Sequence, residues 1–214
     1  MDEEITIINS NTRNQKIKNF FLKNKKNLIL VSVTIVVLLI SYLSYQEIKN
    51  YNKSQLADKY NETILSYKNT NKEKTINELT YIVFEKDTTY SPLALYFLLD
   101  NNLIEDQNEI NRLFNILIEE TNLKKEIKNL IIYKKALYNS NYLDENELMS
   151  ILKPIINSES IWKSHSLYLI AEYFYSKGEK QKSKEFFNKI LALTNSNNDI
   201  KLESEKRLNK DLSE

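Results

Sequence analysis

Apolar and polar positions follow two different patterns along this chain. Residues 28–45 read LILVSVTIVVLLISYLSY, apolar on every face and free of charge, Gly and Pro. Elsewhere apolar residues recur every third or fourth position with polar residues between them, the mark of helices that bury one face. As a helix the first stretch would be about 27 Å long, close to the roughly 30 Å hydrocarbon core of a bilayer. Its ends, Leu28 and Tyr45, are the expected ends of a membrane anchor. A cleaved signal peptide would have a shorter apolar region and a small-x-small cleavage site, which Ser41-Tyr42-Leu43-Ser44-Tyr45 lacks. A buried helix of a soluble domain would show a polar face. Here only Ser32, Thr34, Ser41 and Ser44 are polar, and such hydroxyls can bond back to the helix. An uncleaved single-pass anchor is therefore expected.

Beyond the anchor the periodicity predicts a series of helices. Residues 46–68 place Ile48, Tyr51, Leu56, Tyr60, Ile64 and Tyr67 at helical spacing and continue or restart the membrane helix. Residues 72–84 carry Ile76, Leu79, Ile82 and Val83 on one face. Ser91-Pro92 reads as an N-cap followed by proline at the first helical position. The helix after it is apolar nearly all round and is expected deep in the core. Residues 106–119 show Ile110, Leu113, Phe114 and Leu117; residues 123–139 show Ile127, Leu130, Ile131 and Leu137. Asp144 is the expected cap of a helix carrying Leu148, Ile151, Leu152 and Ile155, which Pro154 should kink or end. Residues 161–177 and 179–194 form the clearest pair. Asp199 is the expected cap of a polar last helix with Leu202 and Leu208.

These segments fall into pairs. First members begin near 48, 91, 127 and 163 and second members near 72, 106, 144 and 179, a period of roughly 36 residues. Helix hairpins at such a period predict an α-solenoid, because one hairpin cannot bury both its apolar faces and stacked hairpins can. The expected organisation is an all-α chain: a basic tail over 1–27, the transmembrane helix over 28–45, a repeat domain over 46–198 and a capping helix over 199–214. Residues 1–12 are expected to be disordered.

Flanking charge sets an orientation. Arg13, Lys16, Lys18, Lys23, Lys25 and Lys26 precede the anchor, against Lys49, Lys53 and Lys59 after it. That bias puts the N-terminus in the cytoplasm and the repeat domain outside it. Ile17, Phe20, Phe21 and Leu22 between the leading cations read as an interfacial segment or as an ordinary positive flank.

Composition then narrows the chemistry. The chain has 214 residues, a net charge of +1, 1 Gly, 1 His and 0 Cys. Without Cys there are no disulfides, thiolate metal sites or Cys nucleophiles. A single glycine rules out phosphate-cradling loops of the G-x-G-x-x-G or P-loop kind and the elbow G-x-S-x-G. Basic and acidic residues are interspersed, unlike a nucleic-acid-binding stripe. An AT-biased genome would by itself produce the wealth of Asn, Lys and Ile, so the sequons Asn52-Lys53-Ser54 and Asn61-Glu62-Thr63 are read as chance. Asn195, Asn197 and Asp199 mimic the start of a calcium loop, but Ile200 and Lys206 stand where Gly and Glu are needed. Glu119-Glu120 and Glu145 with Glu147 read as solvated helix faces. No cofactor or small-molecule substrate is expected.

The last pair resembles a tetratricopeptide repeat. Leu167, Ile170, Ala171 and Phe174 fit the packing positions of its first helix, Gly178 its turn, and Ser183, Phe187 and Ile190 its second helix. Small Ala171 and Ser183 would let the two helices cross closely. Ser183 and Ile190 stand where alanine is usual, and no proline lies near Asn195. With the basic tail and early anchor, the chain is similar to the ancillary Sec-translocon subunit family of bacterial inner membranes, in its AT-rich alphaproteobacterial branch. The segments TYSPLALYFLLDNN, KEIKNLIIYKKAL and WKSHSLYLIAEYFYSKGEKQKSKEFF carry that likeness. The resemblance implies docking beside the translocon or with periplasmic chaperones, without enzymatic activity. The same repeat also occurs in cell-division coordinators.

The candidate binding groove is a stripe on the first helix of that pair. His165, Tyr168, Glu172 and Tyr175 fall at helical spacing beside the packing positions and suit peptide capture. The plainer reading, that these tyrosines fill a loose core or an exposed face, stands beside it. His165 alone reads as groove packing rather than a catalytic base. A Ser–Lys hydrolase, which has no sequence signature, is the alternative from another functional class.

Overall fold

A computed structural model describes residues 2–69 and 71–212; Met1, Thr70, Ser213 and Glu214 lie outside the described residues, and with them the ends of the expected tail and capping helix. Every regular element among the described residues is helical. The chain divides into two compact units, Met1–Gln55 and Leu56–Glu214.

The first unit holds α1 (Asp2–Lys23) and α2 (Lys25–Ser66) as far as Gln55. Residues 2–12, expected to be disordered, belong to α1 instead: no Gly or Pro interrupts the stretch. Helical bonding also passes through the junction, since Asn24 N donates to Phe20 O (3.0 Å) and Leu28 N to Asn24 O (2.9 Å). No backbone break separates residues 28–45 from 46–66, so the helix continues rather than restarts. One helix among the described residues is long and apolar enough to cross a membrane, and it is this one.

The second unit begins with the end of α2 and a 3-10 turn (Tyr67–Asn69). It continues through α3 (Lys72–Phe84), α4 (Tyr90–Asp100), α5 (Gln107–Asn115), a π-helical turn (Ile116–Glu120) and α6 (Lys125–Asn139). Then come α7 (Glu145–Ile156), α8 (Lys163–Ser176), α9 (Lys180–Leu191) and α10 (Asn198–Lys210). Helices pack chiefly on their neighbours in sequence, α3 on α4, α6 on α7, α7 on α8, α8 on α9 and α9 on α10. The core accordingly forms two successive clusters. One gathers Leu79, Ile82, Leu95, Leu98, Leu113 and Phe114, covered by Tyr60, Ile64 and Tyr67 of the preceding segment. The other gathers Leu148, Leu152, Ile170, Phe174, Phe187 and Ile190. Helix α6 serves both, giving Ile131 to the first and Ile132 and Ala136 to the second.

Local signals explain most helix ends. Asn71 and Asp106 cap α3 and α5 through their side-chain oxygens. Asp144 and Glu147 form a reciprocal capping box on α7. Pro154 sits within α7, which ends two residues later at Ile156. Two expected caps are corrected. Ser91 does not cap α4: the Asp87 carboxylate accepts from Thr89 N (2.8 Å) and Tyr90 N (2.7 Å), which starts the helix at Tyr90. Buried Ser91 instead donates to Ile82 O (2.6 Å), tying α4 to α3. Asp199 likewise lies inside α10, whose cap is Asn197, accepting from Ile200 N (3.1 Å).

Two expected faces are also rotated. On α6, Ile127 and Leu137 are exposed, and Asn129, Ile132, Ala136 and Asn139 take the inside. Buried Asn139 accepts from Gln107 and Asn111 (both 2.9 Å) and donates to Asn111 Oδ1 and Lys135 O (both 2.8 Å). Four satisfied bonds make the amide an acceptable core residue, so it outcompetes Leu137 for the position. On α10, Leu202 is exposed, while Leu212 just beyond the helix is buried.

Candidate functional site

The first surface of interest is the apolar stretch of α2. Its aliphatic side chains are open to the surroundings from Ile29 to Leu43, at 52–66% exposure. In water such a surface would be untenable, while in lipid it is the natural state. Leu28 is half-buried and Tyr45 exposed. Thr34 Oγ1 donates to Leu30 O (2.9 Å), which satisfies its hydroxyl within the helix. Ahead of it Ile17, Phe20, Phe21 and Leu22 are exposed, with the two phenyl rings edge-on at 6.0 Å.

The second is the face of α8. Its packing residues Leu167, Ile170, Ala171 and Phe174 are buried, as are Ser183, Phe187 and Ile190 of α9. Ala171 and Ser183 are both fully buried, and small side chains there leave room for two backbones to come close. Gly178 takes φ +77°, and the turn closes with Gly178 N donating to Tyr175 O (3.0 Å) and Glu179 N to Phe174 O (2.9 Å).

The stripe of groove candidates splits in two. Tyr168, Glu172 and Tyr175 lie together where α10 crosses α8. Arg207 of α10 binds both carboxylate oxygens of Glu172, with Nε at 2.7 Å, and its guanidinium lies 4.3 Å from the Tyr175 ring centre. The same Arg207 reaches Asp211 at 2.6 Å. Tyr168 rests edge-on against Phe187 (5.5 Å), and its hydroxyl is pushed up to about 12 by burial and the neighbouring Glu172 carboxylate. This end of the stripe is covered by the chain's own last helix.

His165 lies apart, in an aromatic cluster with Trp162 (5.1 Å) and Tyr133 (5.9 Å), whose own rings stack at 6.0 Å. Burial lowers the imidazole pKa, so the ring is neutral at pH 7. Glu126 fixes the cluster: its carboxylate accepts from Ser160 Oγ (2.7 Å) and Ile161 N (3.2 Å), and its backbone carbonyl from Trp162 Nε1 (3.1 Å). Ile161, beside it, is 66% exposed. Trp162, the N-cap of α8, is a sequence neighbour of His165, whereas Tyr133 comes from α6 and its approach has no signal in the sequence. One further cation–ring contact joins α6 to α4, with Lys134 Nζ 4.5 Å from the Tyr96 ring centre.

Chemistry elsewhere is structural. No group of three or more His, Cys, Asp or Glu that could hold a metal ion occurs among the described residues. Asn197 is committed to capping α10. Ser91 and Ser204 direct their hydroxyls to the carbonyls of Ile82 and Ile200 (2.7 Å) and Ser160 to the Glu126 carboxylate, whereas the buried hydroxyls of Ser166 and Ser183 meet no hydrogen-bond partner among the described residues. Comparison with family models, curated proteins and solved structures finds no match to the chain.

Proposed function

We propose that this protein is a membrane-tethered protein–protein interaction module of the bacterial inner membrane, without enzymatic activity. The N-terminal tail is cytoplasmic, α2 spans the bilayer, and the helices beyond it stack as degenerate tetratricopeptide-like hairpins in the periplasm. Its partners are membrane lipid and other envelope proteins, with the Sec translocon or a periplasmic chaperone as the leading choice. The observation that carries this reading is the open apolar stretch of α2, continuous with a domain built of sequence-neighbour helix pairs. Tethering confines the domain near the membrane, so weak contacts act at high local concentration.

The partner contact is centred on Tyr133, Trp162 and His165, with exposed Ile161 at its edge. Aromatic anchors held by half-buried Glu126, whose backbone carbonyl accepts from the Trp162 indole, suit a peptide or helix of another protein. Tyr168, Glu172 and Tyr175 contribute where α10 leaves them accessible. The test is crosslinking in intact membranes from a photoreactive residue at position 161, followed by mass spectrometry. Translocon or chaperone subunits are the expected catch. Recovery of septal proteins alone would redirect the reading to cell division, and an unchanged catch in a Tyr133→Ala, Trp162→Ala variant would remove the aromatic contact from it.

A further inference from the structure

Helices α7, α8 and α9 enclose a groove of about 360 Å³ that the reading above does not use. Met149 and Ile156 of α7 form one wall, Leu167 of α8 the floor, and Phe186 of α9 the other wall. Two cations stand at it: Lys163 at the start of α8, and Lys189, whose ammonium lies 4.1 Å from the Phe186 ring centre. No carboxylate lines the groove, and neither lysine takes part in an ion pair among the described residues. The other cavities differ in this respect. That between α3 and the end of α2 mixes Lys59 and Lys74 with Glu73 and Glu78, and that beside the π-turn mixes Arg112 and Lys86 with Glu120.

An apolar trough of this size with a few placed polar groups has the make-up of a small-ligand site. The two lysines decide the sign of the ligand. A neutral oily molecule would leave them unmatched, and a cation would be repelled. Lys163 also stands at the positive N-terminal end of α8, its own N–H donating to Ser160 O (3.1 Å). We propose that this groove binds a single-chain anionic amphiphile, its hydrocarbon lying along Met149, Ile156, Leu167 and Phe186 and its carboxylate or phosphate head between Lys163 and Lys189. None of the aromatic residues Tyr133, Trp162 and His165 lines this groove.

The experiment is photolabelling of the full-length protein in lipid nanodiscs with a diazirine-bearing dodecanoate, mapped by peptide mass spectrometry. Label on peptides containing Met149, Ile156 or Leu193 is expected, saturable and displaced by dodecanoate at about tenfold lower concentration than by dodecanol. Label on α2 reports simple partitioning and serves as the internal control. Lys163→Glu with Lys189→Glu should abolish groove labelling and leave that on α2. Ala192→Trp, at an exposed position on the rim, should block the trough without touching the core. A diazirine lysophosphatidylglycerol run in parallel separates a phosphate head supplied by the membrane from a free carboxylate. Label confined to α2, equal displacement by dodecanol, or groove label unaffected by both variants would overturn the proposal. So would displacement by an acidic apolar peptide alone, which would make the trough a protein-binding surface.

Discussion

The clamp between Arg207 and Glu172 offers the sharpest test of how α10 is held. The perturbation is Arg207→Met, which keeps the aliphatic stem and removes the guanidinium. Arg207 and Glu172 side chains are only 22% and 30% exposed, so the pair is neither a solvated surface bridge nor a sealed core pair. Hydrogen bonds to charged groups contribute about 1.5–3 kcal/mol when shielded, and exposed ion pairs about 0.2–1 kcal/mol. An intermediate coupling of about 1–1.5 kcal/mol follows for the two-pronged Glu172 contact. Stacking of the guanidinium on Tyr175 adds about 0.5 kcal/mol, giving a total loss near 2 kcal/mol. Because α10 packs only on α9 and α8 among the main helix contacts, the loss should appear as local opening rather than global unfolding. Hydrogen exchange by mass spectrometry on the full-length protein should show peptides covering 198–212 exchanging about thirtyfold faster, with α3 and α4 unchanged. A double-mutant cycle with Glu172→Gln isolates the pair term. A coupling below about 0.3 kcal/mol, against the shielded-pair range, would refute the argument that α10 is pinned electrostatically.

Further outcomes follow from other residues. Asn139→Ala removes an amide that joins α5 to α6 through Gln107 and Asn111, leaving both unpaired; chemical denaturation should show a loss of about 2–3 kcal/mol. His165, the only histidine, has its pKa lowered by burial, so below pH about 6.5 the unfolded chain takes up a proton before the folded one. Stability is therefore full above that pH and falls as pH drops toward the native value. Thermal melts between pH 7.5 and 5.5 should show this slope in the parent protein and a flatter profile in His165→Phe. Leu38→Arg places a charge mid-way along the apolar stretch, a change of about 3 kcal/mol against insertion; carbonate extraction should release a larger share of the variant than of the parent.

The sequence carried the helices better than it carried their contacts. Periodicity located α3, α5 and α7 to α9 because their apolar spacing has one solution, and Asp144 with Glu147 announced its cap unambiguously. Where two local solutions competed, packing chose. Asp87 outbid Ser91 for the start of α4, since a carboxylate two and three residues ahead of the free N–H groups is the better acceptor. Asn139 displaced Leu137 from the inside of α6 because partners on α5 satisfied it, and no periodicity count can see a partner on another helix. The π-turn at Ile116–Glu120, closed by Thr121 Oγ1 on Ile116 O (3.1 Å), leaves no residue signature at all. The stripe His165, Tyr168, Glu172 and Tyr175 was readable as a helix face. That Arg207 would claim two of its members, and that Tyr133 would join Trp162 at the other end, depends on long-range approach alone.

The turn at Gly178 has two counterparts built without glycine. At the end of α4, Asn102 takes φ 47°, with Asn102 N donating to Leu99 O and Leu103 N to Leu98 O; at the end of α3, Lys86 takes φ 54° with its N–H on Val83 O. Asn102 repeats both bonds of the Gly178 turn and Lys86 the first of them, each meeting the left-handed region with a β-carbon. For asparagine the penalty is small, and for lysine it approaches about 1–2 kcal/mol. With a single glycine in the chain, a left-handed helix end falls to lysine, and the end of α3 becomes a place where composition is written as conformational strain.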